Sequence, residues 1–212
     1  MPDNHATQVP SGQPYQAVVI GTSAGGTAAL AAVLPGLPAG YRLPIIICQH
    51  LHPRQHGPAL LHYCDTIVLR IKEAGDKEHI QPGTIYFAPP NYHLLIEEDR
   101  SLALSIDERV NFTRPSIDVL FESAADAYGP ALVGVILTGA NHDGAQGLRR
   151  VKERGGLTIV QDPRTAEASF MPEAALHATA VDHVLALGAI GGLLAGLSAP
   201  AQSVGGREST SG

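Results

Sequence analysis

An α/β fold, built on a doubly wound, mainly parallel sheet with helices on both faces and an inserted antiparallel β-hairpin, is what this sequence predicts. Three observations carry the prediction. Short apolar runs recur at residues 17–20, 44–48, 67–71, 132–137, 157–160 and 183–187, several of them unbroken, as strands covered on both faces must be. Helical patterns fill most of the gaps between them, which implies βαβ units. One stretch, "TIYFAPPNYHLLIEEDRSLALSI", breaks that rhythm with alternating apolar residues.

Taken in order, the first run ends in "GTSAGG" and an alanine-rich helix over 25–34. The second leads through "QHLHP" to a short helix over 58–63. The stretch that breaks the rhythm reads as strands over 84–88, 92–97 and 101–106, with Glu98-Asp99-Arg100 as a tight turn between the last two. From Ser116, the spacing of Ile117, Leu120, Phe121, Ala124 and Tyr128 marks one apolar helix face. Pro115 and Ser116 are its start signal and Gly129-Pro130 its stop. Further helices are predicted over 144–154, 172–179 and 189–197. Residues 1–14 and 199–212 are rich in Pro, Gly, Ser and Gln without apolar periodicity, so they are expected to be solvated tails around one folded domain spanning 15–198.

Composition removes several classes of function. A net charge of -6 lacks the clustered Lys and Arg that phosphate backbones require, which argues against nucleic acid. The N-terminus has neither a basic region nor an apolar core, and no run of about 18 apolar residues occurs, so neither secretion nor membrane insertion is expected. Cys48 and Cys64 are the two cysteines, and Cys48 falls in a predicted buried strand, so reduced thiols and a cytoplasmic location are expected.

In an open parallel sheet, ligands bind beyond the carboxyl ends of the strands. There the sequence places Ser23 after the first run, His50 after the second and Asp143 in "TGANHDG" after the fourth helix-flanked run. A hydroxyl, an imidazole and a carboxylate are the set acyl transfer needs: the imidazole takes the serine proton, and the carboxylate orients the imidazole and stabilises its cation. Each also has an ordinary explanation. Ser23 and Asp143 precede predicted helices, where they could serve as N-caps, and a histidine at a strand end is commonly structural.

Other readings of the same loops fit less well. A dinucleotide fingerprint requires glycine where Ser23 stands and an acid at the end of the second strand, and a phosphate-binding P-loop requires a Lys-Ser/Thr pair after the glycines. "GTSAG" matches the G-x-S-x-G elbow of α/β-hydrolases, but their chain order is serine, acid, histidine. "HLHPRQH" gathers His50, His52 and His56 near Cys48 and Cys64, without a second pair at zinc-site spacing. No cofactor is expected.

With those residues in view, the chain from about Val18 to Leu197 resembles the catalytic domain of the CheB-type chemotaxis protein-glutamate methylesterases. The resemblance rests on "VVIGTSAGG", "ICQHLHP", "GTIYFAPPNYHLLI", "RPSIDVLFESAA", "VILTGANHDGAQGL" and "QDPRTAEASFMPEAAL", in that order. It implies hydrolysis of γ-glutamyl methyl esters on chemoreceptors, with deamidation of receptor glutamines as a related activity. Ser23 matches the nucleophile, His50 the general base and Asp143 the residue that orients it. The loops holding Ala24, Gly25, Ala140 and Asn141 are expected to form the oxyanion and substrate rim. The chain departs from the family pattern at Ala24, where threonine is usual, and at Ala140-Asn141, where Met-Gly is usual. About 15 residues precede the first strand, where relatives commonly carry a receiver domain; regulation then comes from a separate receiver protein or elsewhere, or the chain is a fragment, or it belongs to a stand-alone branch. The competing expectation is a non-catalytic member of the fold that binds a signalling partner.

Overall fold

At the centre of the molecule lies β1 (Ala17–Thr22), whose residues are all buried. In the computed structural model, residues 15–50 and 67–198 are described. The helix expected over 58–63, the two tails, and His52, His56 and Cys64 lie outside the described residues.

The other strands of the main sheet are β2 (Ile45–Gln49), β3 (Arg70–Glu73), β4 (Thr84–Phe87), β7 (Leu132–Ile136), β8 (Leu157–Gln161) and β9 (His183–Leu185). They run in the order β3-β4-β2-β1-β7-β8-β9, and every pairing is parallel. On one side the chain passes from β1 to β2, then to the edge strand β3 and back inward to β4; it then returns to β7 beside β1 and moves outward through β8 to β9 on the other. The reversal therefore falls between β1 and β7, where an open parallel sheet leaves a crevice at its carboxyl edge.

Both faces are covered, which is why β1 and β2 read as continuous apolar runs. Val18, Ile20, Ile45 and Ile47 pack with Leu30 and Val33 of α1 (Gly26–Val33) and Ile190 and Leu194 of α5 (Leu187–Leu197). Ala17, Val19, Ile46 and Cys48 face Ile117 and Phe121 of α2 (Ile117–Tyr128), Leu148 of α3 (Ala145–Glu153) and Met171 of α4 (Phe170–Ala178). Each fully buried Ile or Leu contributes about 2 kcal/mol before conformational entropy is counted.

One boundary and one pairing differ from expectation for physical reasons, beside shifts of two residues at the starts of α4 and α5 and at the end of β9. The run at 67–71 becomes a strand only from Arg70, because Ile67 and Leu69 are spent in the core and only residues from Arg70 reach β4 in register. The segment at 84–88 does not join the hairpin: β4 pairs in parallel with β2 and β3, leaving β5 (His93–Ile96) and β6 (Leu102–Ser105) as the antiparallel pair.

Candidate active site

Three adjacent strands, β2, β1 and β7, deliver His50, Ser23 and the loop that carries Asp143 to one edge of the sheet. The serine turn is sewn to its neighbours by main-chain bonds: Ser23 N–H donates to Thr138 O at 3.0 Å, and His50 N–H donates to Thr22 O at 3.0 Å. Gly25, at φ 77, lies in the left-handed region and forms the N-cap position of α1, so Ser23 is not that helix's cap. Gly21 makes room for α2, since a Cβ there would lie 2.3 Å from Ile117 Cγ2.

Asp143 is completely buried. It also is not the cap of the helix it precedes, because Gly144 holds that position on α3. Instead its carboxylate crosses to the N-terminus of α2, accepting from the N–H of Ile117 at 2.6 Å and of Asp118 at 3.2 Å. The Ser116 hydroxyl, the Asn111 amide and the Thr113 hydroxyl also donate to it. His50 Nε2 completes the shell at 2.9 Å from Oδ2. Burial pulls the Asp143 pKa upward, but the hydrogen bonds from His50, Asn111 and Ile117 outweigh it and hold the group at about 2. The carboxylate is therefore ionised and accepts only, so Nε2 of His50 carries a proton and Nδ1 is the nitrogen left for base chemistry.

Asp118 repays the arrangement. It lies in the first turn of α2, yet its Oδ1 accepts from Gly144 N–H at 2.9 Å and Gly147 N–H at 2.7 Å, capping α3. Each helix thus begins on a carboxylate supplied from the other's first turn or the residues just before it, where the helix dipole favours negative charge. Asn111 bridges the two acids, with Nδ2 at 2.8 Å from Asp118 Oδ2 and 2.8 Å from Asp143 Oδ1. Burial raises the Asp118 pKa, and the neighbouring Asp143 charge adds to the rise.

Thr138 fixes the facing loop. Its carbonyl accepts from Ser23 N–H and from the Thr22 hydroxyl, its hydroxyl donates to Ala24 O at 2.9 Å, and its N–H donates to the buried Gln161 Oε1. Among the described residues, the Ser23 hydroxyl and the N–H groups of Ala24, Gly25, Ala140 and Asn141 have no hydrogen-bond partner. Ala24 and Ala140 are exposed, while Ser23, Gly25 and Asn141 are partly buried. No group of metal-ligating side chains occurs among the described residues.

Of the predicted site residues, His50 and Asp143 are hydrogen-bonded to each other, Asn141 lies against the His50 ring, and Ser23 follows the neighbouring strand β1 without a hydrogen bond from its hydroxyl to His50 or Asp143. Asn111, Thr113, Asp118, Thr138 and Gln161 were not legible as site residues. Asp118 reads as an ordinary acid in a first helical turn, and nothing in the periodicity around Asn111 marks a bridge between two carboxylates.

Comparison with known proteins accounts for nearly the whole described chain. The CheB methylesterase family profile matches residues 18–194. A protein of Leptospira interrogans named "Putative protein-glutamate methylesterase/protein-glutamine glutaminase" is 56% identical over 173 residues, covering 82% of this chain and 90% of that protein. The protein-glutamate methylesterase FrzG of Myxococcus xanthus is 38% identical over 194 residues, covering 91% of this chain but 58% of its own length. The crystal structure of the Thermotoga maritima CheB methylesterase catalytic domain superposes with a TM-score of 0.82 at 33% identity, covering 86% of this chain and 98% of that one.

Proposed function

This chain belongs to the CheB methylesterase family, and on that premise we propose that it hydrolyses γ-glutamyl methyl esters on a methylated chemoreceptor or similar protein, through Ser23, His50 and Asp143. The observation that carries the reading is the 2.9 Å bond from His50 Nε2 to a buried, ionised Asp143, at the strand end adjacent to Ser23. Asp143 fixes the tautomer, so Nδ1 takes the Ser23 proton as Oγ attacks the ester carbonyl. The N–H groups of Ala24, Gly25, Ala140 and Asn141, which have no partner among the described residues, would receive the oxyanion. Methanol leaves with the proton from His50, and water then cleaves the acyl-enzyme to free glutamate. A receptor glutamine would react in the same way, releasing ammonia.

The working location is the cytoplasm, where a methylated receptor tail and a separate receiver-domain partner would meet it. No described helix is long and apolar enough to cross a membrane. One observation favours the second reading, a non-catalytic module that binds a signalling partner: in this conformation the Ser23 hydroxyl makes no hydrogen bond to His50. Catalytic hydrogen bonds in free enzymes are often long and tighten with substrate. Methanol release from methylated receptor membranes separates the two. Wild-type protein is expected to release it and Ser23→Ala to lose that activity; equal rates from both would overturn the proposal.

A further inference from the structure

Building on the serine-hydrolase reading, we propose that Asn141 is a positioning residue that occupies the proton-accepting nitrogen of His50 in the resting site and yields it to Ser23 when substrate is seated. Asn141 Nδ2 lies 3.3 Å from His50 Nδ1. The amide's orientation is set by its other end, because Oδ1 accepts from the Asp143 backbone N–H at 3.2 Å, and an N–H can only face an acceptor. The nitrogen directed at His50 is therefore a donor, and it requires an unprotonated Nδ1. That matches the tautomer imposed on the other side of the ring, where ionised Asp143 demands a proton on Nε2.

The consequence is a competition. Nδ1 has one lone pair in the ring plane, and the Ser23 hydroxyl needs it: as Oγ bonds to the ester carbon, its proton must pass to Nδ1 while the carbonyl electron pair moves to oxygen. With the Asn141 amide on that lone pair, the Ser23 hydroxyl is left without a partner, as observed among the described residues. Asn141 is half-buried and lies in the loop whose Ala140 and Asn141 N–H groups have no partner among the described residues, beside the His50 ring it bonds.

The test uses a small fluorophosphonate ester, which reports the nucleophilicity of Ser23 without receptor docking, together with the nitrogen NMR shift of His50 Nδ1. Asn141→Ala is expected to move the Nδ1 signal toward that of a free imidazole nitrogen. It is also expected to speed Ser23 labelling roughly three- to tenfold, the effect of removing one ordinary hydrogen bond. Asn141→Asp keeps the Oδ1 that holds the Asp143 N–H but replaces the donor with an anionic acceptor. It favours the doubly protonated ring and is expected to slow labelling at neutral pH. A role confined to supporting the loop predicts the reverse, with Asn141→Ala slow and Asn141→Asp near wild type, and that result, or unchanged labelling in both, would overturn the inference. Ser23→Ala is the control: if it is still labelled at the wild-type rate, the serine-hydrolase reading itself fails, whatever Asn141 does.

Discussion

Around Asp143 both carboxylate oxygens are shared among His50, Asn111, Thr113, Ser116 and the start of α2, whereas in the turn after β1 the Ser23 hydroxyl and the Ala24 and Gly25 N–H groups have no partner among the described residues. On the proposed mechanism the contrast matches what each half would have to do. A group that orients another must not move, so its bonds are complete before substrate arrives; groups that act on substrate must keep their bonding capacity free for it. The folded state carries the cost of the open half, and the crowded half supplies rigidity.

The largest way to break this comparison is to alter the crowded half at its centre. Asp143→Asn keeps the shape but removes the acceptor that dictates the His50 tautomer, and ester hydrolysis is expected to fall about ten-thousandfold. Steady-state rates that fall less than tenfold would show that Asp143 does not orient His50.

Removing the bridge between the acids comes next. Asn111→Ala leaves two buried carboxylates each short of a donor, at a cost of about 2 kcal/mol. In a domain of this size that corresponds to a Tm lower by roughly 4 to 8 °C. Ser23→Ala is expected to leave Tm unchanged, so calorimetry of the two variants measures how unequally the two halves contribute to stability.

Acid sharpens the same point. Asp143 titrates at about 2 in the folded protein against an ordinary 3.8, so the unfolded chain takes up this proton first. Its contribution, on the order of 2 kcal/mol, is complete above about pH 4 and is lost as pH falls toward 2. Asp118 has the opposite sign: burial raises its folded pKa, so acidification relieves its cost. Denaturation midpoints followed from pH 5 to 2 should fall less steeply in Asp143→Asn than in wild type; equal slopes would exclude Asp143 as a source of acid sensitivity.

The smallest effect is expected on the open side. Ala24→Thr adds a hydroxyl at an exposed rim position and should change stability by less than about 0.5 kcal/mol. A loss as large as that of Asn111→Ala would show that the rim is packed rather than open.

How far the sequence reached depended on whether a signal was local. The unbroken runs of β1, β2, β7 and β8, the amphipathic face of α2 and the Glu98-Asp99-Arg100 turn all follow from spacing within one segment, and they were legible. So was the placement of Ser23, His50 and the Asp143 loop after the adjacent strands β1, β2 and β7, because parallel strands in a doubly wound sheet bring their following loops to one edge. Three things required the folded chain. The assignment of 84–87 to the parallel sheet depended on which strand it pairs with, a choice between partners far apart in sequence. The exchange of caps between α2 and α3 required two helix starts, 26 residues apart between Asp118 and Gly144, to be packed side by side. The choice of nitrogen on His50 depended on Asp143 and Asn141 lying on opposite sides of one ring. Periodicity records which face of an element is covered and strand order brings loops together; hydrogen-bond partners and tautomers are set by distances between groups the sequence keeps apart, and only tertiary packing determines those.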